Sequence, residues 1–105
     1  MPRFVFVVYT NPVRGREEEY NEWYTNRHLD DLLACPGVVS ARRLKLCSAQ
    51  VKEVAMPHRY LALYEIETDD PQRFYNELFA RNGTDPISSA LAGDAHALMW
   101  EVIER

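Results

Sequence analysis

Trp23, Tyr24 and His28 are the side chains whose types and spacing point most directly to chemistry. Tyr24 and His28 stand four residues apart, which makes them neighbours on one helix face, and Trp23 flanks them. An imidazole gives or takes a proton near neutral pH. A tyrosine beside it orients a carbonyl or hydroxyl, and an indole offers a flat apolar wall. The set suits proton transfer on a small aromatic or carbonyl-bearing molecule. The competing reading is packing, with Trp23 and Tyr24 in the core and His28 a hydrogen-bonding residue near a helix end.

Tyr60 and Tyr64 share one face of a strand pattern and either line a pocket or fill the core. Arg43, in a charged strand, either binds a carboxylate or stays solvated at an edge. His58 follows Pro57 at a loop-to-strand junction, where it closes a pocket mouth or lies on a surface loop. His96 opens the last strand. The three histidines lack short metal-ligand spacing, so no metal site is expected. No glycine-rich phosphate loop or GxSxG elbow is present. Cys35 and Cys47 form no CxxC pair and are expected to be reduced, buried thiols; Cys35 precedes proline and has no activating base in view.

These residues need elements to hold them. Arg3–Thr10 is β-branched and aromatic and reads as a strand buried on both faces, ended by Asn11-Pro12. From about Arg14 to Ala34 the pattern is helical, with Glu17, Glu18 and Glu19 at the positive end. Leu29, Leu32 and Leu33 continue the stripe on a shifted face, which predicts a bend or a break near Asn26–Leu29. Cys35-Pro36-Gly37 stops the helix. Val38–Cys47 reads as a charged edge strand, and Ser48–Pro57 as a loop or a hairpin extension around Val51–Val54. Arg59–Glu67 is a second apolar strand. Asp70-Pro71 caps a helix whose stripe is Phe74, Tyr75, Leu78 and Phe79, closed by Asn82-Gly83. Thr84-Asp85-Pro86 starts a short further helix with Ile87 and Leu91, and His96–Glu104 is the last strand.

The order strand, helix, strand, strand, helix, strand predicts an α+β chain: a ferredoxin-like βαββαβ sandwich over residues 1–105, with a four-stranded antiparallel sheet and its helices on one face. The two apolar strands then sit centrally and the two charged ones at the edges. Both faces of the strands carry apolar side chains: Phe4, Phe6 and Val8 oppose Val5, Val7 and Tyr9, and Leu98 and Trp100 oppose Ala97 and Met99. A sheet covered on one side would expose a large apolar patch, so a homodimer packed through sheet faces is expected.

The stretch from Phe4 to Leu46 resembles the EthD-type branch of the dimeric α+β barrel superfamily. The resembling string is Asn11-Pro12, Gly15 through Glu17-Glu18-Glu19-Tyr20-Asn21-Glu22-Trp23-Tyr24, then His28-Leu29 and Asp31-Leu32-Leu33, and Pro36-Gly37-Val38 to Arg43. Asp30 stands where a proline often follows the His-Leu pair. The resemblance implies a ferredoxin-like protomer, dimerisation through sheet faces, and a pocket between sheet and helices. It carries His28 over as the family's histidine and Trp23 and Tyr24 as its aromatic pair. The wider superfamily includes cofactor-free monooxygenases, lactone isomerases, polyketide cyclases and haem-handling enzymes.

Three functions therefore compete. The first is a cofactor-free isomerase, cyclase or monooxygenase acting on an apolar aromatic or carbonyl compound, with His28 and Tyr24 catalytic and Trp23, Tyr60, Tyr64 and Arg43 around the substrate. The second is a non-catalytic, stress-related or accessory protein holding a hydrophobic ligand. The third, ranked last, is haem binding through His28. Composition narrows the field. The net charge of −4 argues against nucleic acid as a partner. The longest apolar run, Phe4–Tyr9, is far short of the roughly 20 residues of a membrane span. It is also too short for a secretory signal, so a cytoplasmic location is expected.

Overall fold

The computed structural model describes residues 2–81 and 87–105. Its elements are β1 (Arg3–Thr10), α1 (Glu17–Trp23), a π-helical turn (Tyr24–His28), α2 (Leu29–Leu33), β2 (Val38–Lys45), β3 (Tyr60–Glu67), α3 (Pro71–Arg81) and β4 (His96–Glu101). The sheet order is β2-β3-β1-β4, and every neighbouring pair is antiparallel. The two apolar strands are central and the charged ones form the edges, as the residue pattern predicts. The architecture is the ferredoxin-like βαββαβ sandwich.

Register assigns the faces. Phe4, Phe6, Val8 and Thr10 of β1 lie opposite Ile66, Tyr64, Ala62 and Tyr60 of β3, and these eight point to the helix-covered side. The core is built there from Phe6, Tyr64, Ile66, Ala62, Tyr20, Tyr24, Leu32 and Phe74. Phe6 meets Phe74 and Tyr75 edge-on, at 5.7 and 5.8 Å between ring centres, which docks α3 onto β1. The opposite face carries Val5, Val7, Tyr9, Leu61, Leu63, Leu44, Leu98 and Trp100, and nothing among the described residues covers it.

Local chemistry sets the element ends. Asp70 Oδ1 accepts from the backbone N–H groups of Gln72 and Arg73, and Pro71 takes the first helical position of α3. Val39 is the extra residue of a bulge where β2 meets β3. The expected elements run slightly long: β2 stops at Lys45, before Cys47, and β4 stops at Glu101, before Glu104. No hairpin extension forms at Val51–Val54, because those side chains find no partner strand and stand exposed. Asn82-Gly83 and Thr84-Asp85-Pro86 lie outside the described residues. Ile87 and Leu91 are not helical; Leu91 bridges to Pro12, and Val13 N–H donates to the Ala90 carbonyl at 2.7 Å. Neither cysteine is in a disulfide, but only Cys35 is buried and Cys47 is exposed, since the strand that would have enclosed it has already ended.

Gly37 adopts φ +95°, and a Cβ there would sit 3.2 Å from the Glu67 carbonyl oxygen. Its own carbonyl accepts from Glu67 N–H at 2.8 Å, fixing the end of β3 to the turn before β2. Gly15 has φ +83° with nothing within 4 Å of a Cβ. Gly37→Ala therefore combines left-handed strain with a backbone clash, at a cost above about 1–2 kcal/mol, whereas Gly15→Ala carries the strain alone. Calorimetry should find the lower Tm in Gly37→Ala; equal melting temperatures would refute the clash.

Burial pushes the Tyr24 hydroxyl up from 10.0 to about 12. It pushes Tyr64 further still, and the adjacent Tyr24 adds to that rise. Both neutral hydroxyls bind their protons more tightly in the folded chain than in the unfolded one. Their stability contribution is whole below about pH 10 and is lost as pH rises through the folded values. Tyr64→Phe should consequently lose less stability than the wild type between about pH 10 and pH 12 in urea titrations. Parallel losses in the two proteins would contradict this assignment.

Candidate functional site

Tyr20, Tyr24, His28 and Leu32 are spaced by four residues. In an ideal α-helix each such step overshoots a full turn by about 40°, so three steps carry the last residue about 120° off the face of the first. The π-helical turn at Tyr24–His28 accommodates an extra residue and cancels much of that drift. Tyr20, Tyr24 and Leu32 consequently all bury against the sheet, and His28 is partly buried in line with them. The shifted leucine stripe seen in the sequence is this turn, and the helix passes through it without breaking.

His28 stacks on the Trp23 indole, with ring centres 4.6 Å apart and planes 21° from parallel. Tyr24 presents its ring to the same imidazole at 5.0 Å and 83°. Nδ1 of His28 lies 3.9 Å from Oδ2 of Asp31, with the imidazole side chain only 14% exposed. The Asp31 carboxylate faces that edge of the ring. Asp31 is thus a site residue the sequence reading left out, although its i,i+3 spacing from His28 was visible. Trp23, Tyr24 and His28 come together as expected.

The remaining candidates assemble one turn away. Arg43 reaches from the edge strand β2 beneath the helix. Its guanidinium carbon lies 4.6 Å from the centre of the Tyr24 ring, 5.2 Å from Tyr20 and 5.4 Å from Tyr60. Its two terminal nitrogens donate to Thr25 Oγ1 at 3.0 Å and Asn21 Oδ1 at 2.9 Å. Arg43 thus ties β2 to the helix through partners belonging to this chain. Tyr60 donates to Glu17 Oε2 at 2.8 Å, and Arg59 donates to Oε1 at 2.8 Å. Arg59, then Tyr60, hold the Glu17 carboxyl below the usual carboxylate range. Tyr20 and Thr10 pair through their hydroxyls. Tyr64 is fully buried beside Tyr24. The pairing roles of Tyr20, Glu17 and Asn21 are not legible in the sequence, because cross-element pairing to Arg43, Tyr60 and Thr10 has no local signature.

An open cleft of 400 Å³ borders the cluster, with Arg16, Trp23, Arg27 and Ser89 in its walls. Trp23 therefore serves both His28 and the cleft. Arg16 is engaged by Glu19 and by Ser89, through its carbonyl and its hydroxyl. His58 and His96 stand apart from His28: His58 bonds to the Asp94 carbonyl, and His96 is exposed in β4. No group of three or more His, Cys, Asp or Glu side chains is placed to hold a metal ion among the described residues. His28 has the donor chemistry of an axial haem ligand, but it lines none of the clefts seen among the described residues. The residues present thus supply a donor without a macrocycle-sized space beside it. Among the described residues no helix is long and apolar enough to cross a membrane.

No protein-family model matches the sequence, and no curated protein matches it. Solved structures do match the fold. The haem-degrading protein MhuD of Mycobacterium tuberculosis, with two haems bound in its active site, superposes with a TM-score of 0.66 at 18% identity, over 97% of each chain. A dimeric ferredoxin-like protein of unknown function from Thermobifida fusca gives 0.63 at 13% identity, over 96% of this chain and 92% of that one. An EthD family protein from Bacillus halodurans gives 0.53 at 13% identity, over 98% of this chain and all of the other. At these identities the likeness is one of fold, and the fold is the one that the resemblance to EthD-type proteins implies.

Proposed function

We propose that this chain is a small-molecule enzyme that moves a proton next to a carbonyl group without a cofactor, using His28 as acid and base. The observation that carries the reading is the shared indole: Trp23 stacks on His28 and also forms a wall of the 400 Å³ cleft. A planar aromatic or carbonyl compound lies against Trp23. The Trp23 indole must swing aside, since His28 itself lines no cleft among the described residues; His28 then takes the proton from the carbon beside the carbonyl and returns it elsewhere on the same molecule, the outcome being isomerisation or ring closure. Arg27, on the cleft wall, faces the negative charge that develops on the carbonyl oxygen. Asp31 steadies the imidazolium formed in between. Tyr24 is 1% exposed, so it positions the imidazole and does not touch substrate. Tyr60, Tyr64 and Arg43 hold the platform beneath.

A second reading, a hydrophobic-ligand binder without turnover, is favoured by one feature: the His28 ring is packed by Trp23 on one side and Tyr24 on another, as a structural histidine would be. Haem binding is the third, supported by the haem-bearing neighbour of the same fold. The protein works as a homodimer in all three. Trp100 is 55% exposed and Leu98 40% exposed on a strand face with no cover, and a second copy of the same sheet supplies one.

Exchange of the α-protons of 2-indanone in heavy water, followed by NMR, separates the readings. The wild type should accelerate exchange, and His28→Ala should lose about a hundredfold or more of that rate while keeping its circular dichroism. Saturable binding with equal exchange in both proteins would select the binder. A Soret band on haemin titration that vanishes in His28→Ala would select haem. Sedimentation at micromolar concentration should give a dimer for the wild type and a monomer for the double variant Leu98→Arg, Trp100→Arg; a monomeric wild type would sink the face-to-face arrangement.

A further inference from the structure

A second cavity, of 190 Å³, lies away from His28 at the end of the uncovered sheet face. Tyr9, Leu44 and Leu61 line it from the sheet, Leu46 and Met56 from the loop between β2 and β3, and His58 joins Lys45 and Arg59 as its ionisable wall. The lining is overwhelmingly apolar, with a thioether among the aromatic and aliphatic groups.

His58 is held with unusual care for a loop histidine. Its Nε2 lies 2.7 Å from the Asp94 backbone oxygen. A carbonyl only accepts, so Nε2 carries the hydrogen. In the neutral ring the lone pair is then on Nδ1, which has no hydrogen-bond partner among the described residues. Asn11 locks the surroundings: its Nδ2 donates to the Pro57 carbonyl at 2.7 Å and to Asp94 Oδ2 at 2.9 Å. Its Oδ1 accepts from Arg59 N–H at 2.9 Å. The residues on both sides of His58, and the carboxylate of the residue whose carbonyl His58 meets, are thereby fixed by one side chain. Tyr9 packs against the imidazole with ring centres 5.9 Å apart. A histidine held through Nε2, with no partner for Nδ1 among the described residues, thus lines a small and mostly apolar cavity, an arrangement suited to recognising one hydroxyl on an otherwise apolar ring.

We propose that this cavity is a binding site for a monocyclic phenol, whose ring fills the space over Tyr9, Leu44 and Leu61 and whose hydroxyl donates to Nδ1 of His58. The size fits, since a cavity of about 150 Å³ already takes a benzene ring and the extra space admits one small substituent. The site is independent of His28, so its test separates from that of the enzyme; it occupies the last row of the face on which the proposed homodimer packs, so binding is read on the dimer.

The test uses 4-fluorophenol and fluorobenzene as fluorine NMR probes with the full chain in its native oligomeric state. The phenol should bind about fivefold or more tightly than fluorobenzene, the margin of one net hydrogen bond. His58→Phe keeps the ring packing against Tyr9 and should reduce the phenol to the affinity of fluorobenzene. His28→Ala should leave phenol binding unchanged. Met56→Phe changes a partly exposed loop side chain, places no demand on folding, and should weaken both probes by filling the cavity. Equal affinities of the two probes for the wild type would overturn the proposal. So would phenol binding that survives Met56→Phe undiminished, or that is lost in His28→Ala.

Discussion

The structure depends on a layer of tyrosines whose hydroxyls cannot reach bulk water. Tyr20, Tyr24, Tyr60 and Tyr64 lie between the first helix and the sheet, and each brings a polar atom into an apolar interior. Leaving such an atom unpaired costs about 1–3 kcal/mol, so the fold must supply partners. Thr10 pairs with Tyr20 and Glu17 with Tyr60; the Tyr64 hydroxyl, beside Tyr24, has no hydrogen-bond partner among the described residues, a cost that the packing of the layer offsets. The Arg43 guanidinium lies against three of the four rings and is tied by Asn21 and Thr25. A cation facing aromatic rings gains more when partly desolvated than at the surface. One strand-edge arginine thus joins β2 to the helix and keeps the helix at a fixed height above the sheet.

That fixed height explains the irregular helix. Tyr20, Tyr24 and Leu32 must all face down, and a regular α-helix cannot present residues four apart on one line for so long. The π-helical turn reconciles the spacing with the geometry and falls at the residues that end in His28. Packing below the helix therefore determines where the imidazole stands, how it meets Trp23 and how near it comes to Asp31. The geometry around His28 is a consequence of the tyrosine layer, and disturbing Arg43 or Tyr24 would move the imidazole.

Legibility in the sequence followed the range of the interactions. Alternation in β1 and β3, the Asp70-Pro71 cap and the Cys35-Pro36-Gly37 stop are local, and they were readable together with the strand order. The Trp23, Tyr24, His28 set was readable because helix spacing alone brings it together. Arg43 was harder. In sequence it sits in the charged run Arg42-Arg43-Lys45, where a solvated edge is the natural reading. Only the register of β2 on β3 shows that Arg43 faces the helix while Arg42 faces the other way. Glu17 carried a signal that pointed elsewhere: three glutamates at a helix start fit the helix dipole, yet one of them is bound by Tyr60 and Arg59. The exposure of Cys47 depended on where β2 ends, and strand ends are the least determined feature of a pattern.

The two sheet faces solve different problems with one set of strands. The covered face mixes rings with hydroxyls and a cation, so its partners must be specified pair by pair; this gives it directional geometry suited to holding an imidazole in place. The uncovered face carries an apolar centre of Val5, Val7, Leu61, Leu63, Leu98 and Trp100, with Glu65, Arg42 and Arg3 on the same face towards its margins. Apolar packing is non-directional, and a symmetric second copy can meet it without new polar partners. Since side chains alternate along each strand, every residue given to one face is denied to the other. Two helices and the segment near Ala90 cover only one side of a four-stranded sheet. Directional contacts are therefore concentrated where the chain can cover itself, and the non-directional surface is left for another molecule.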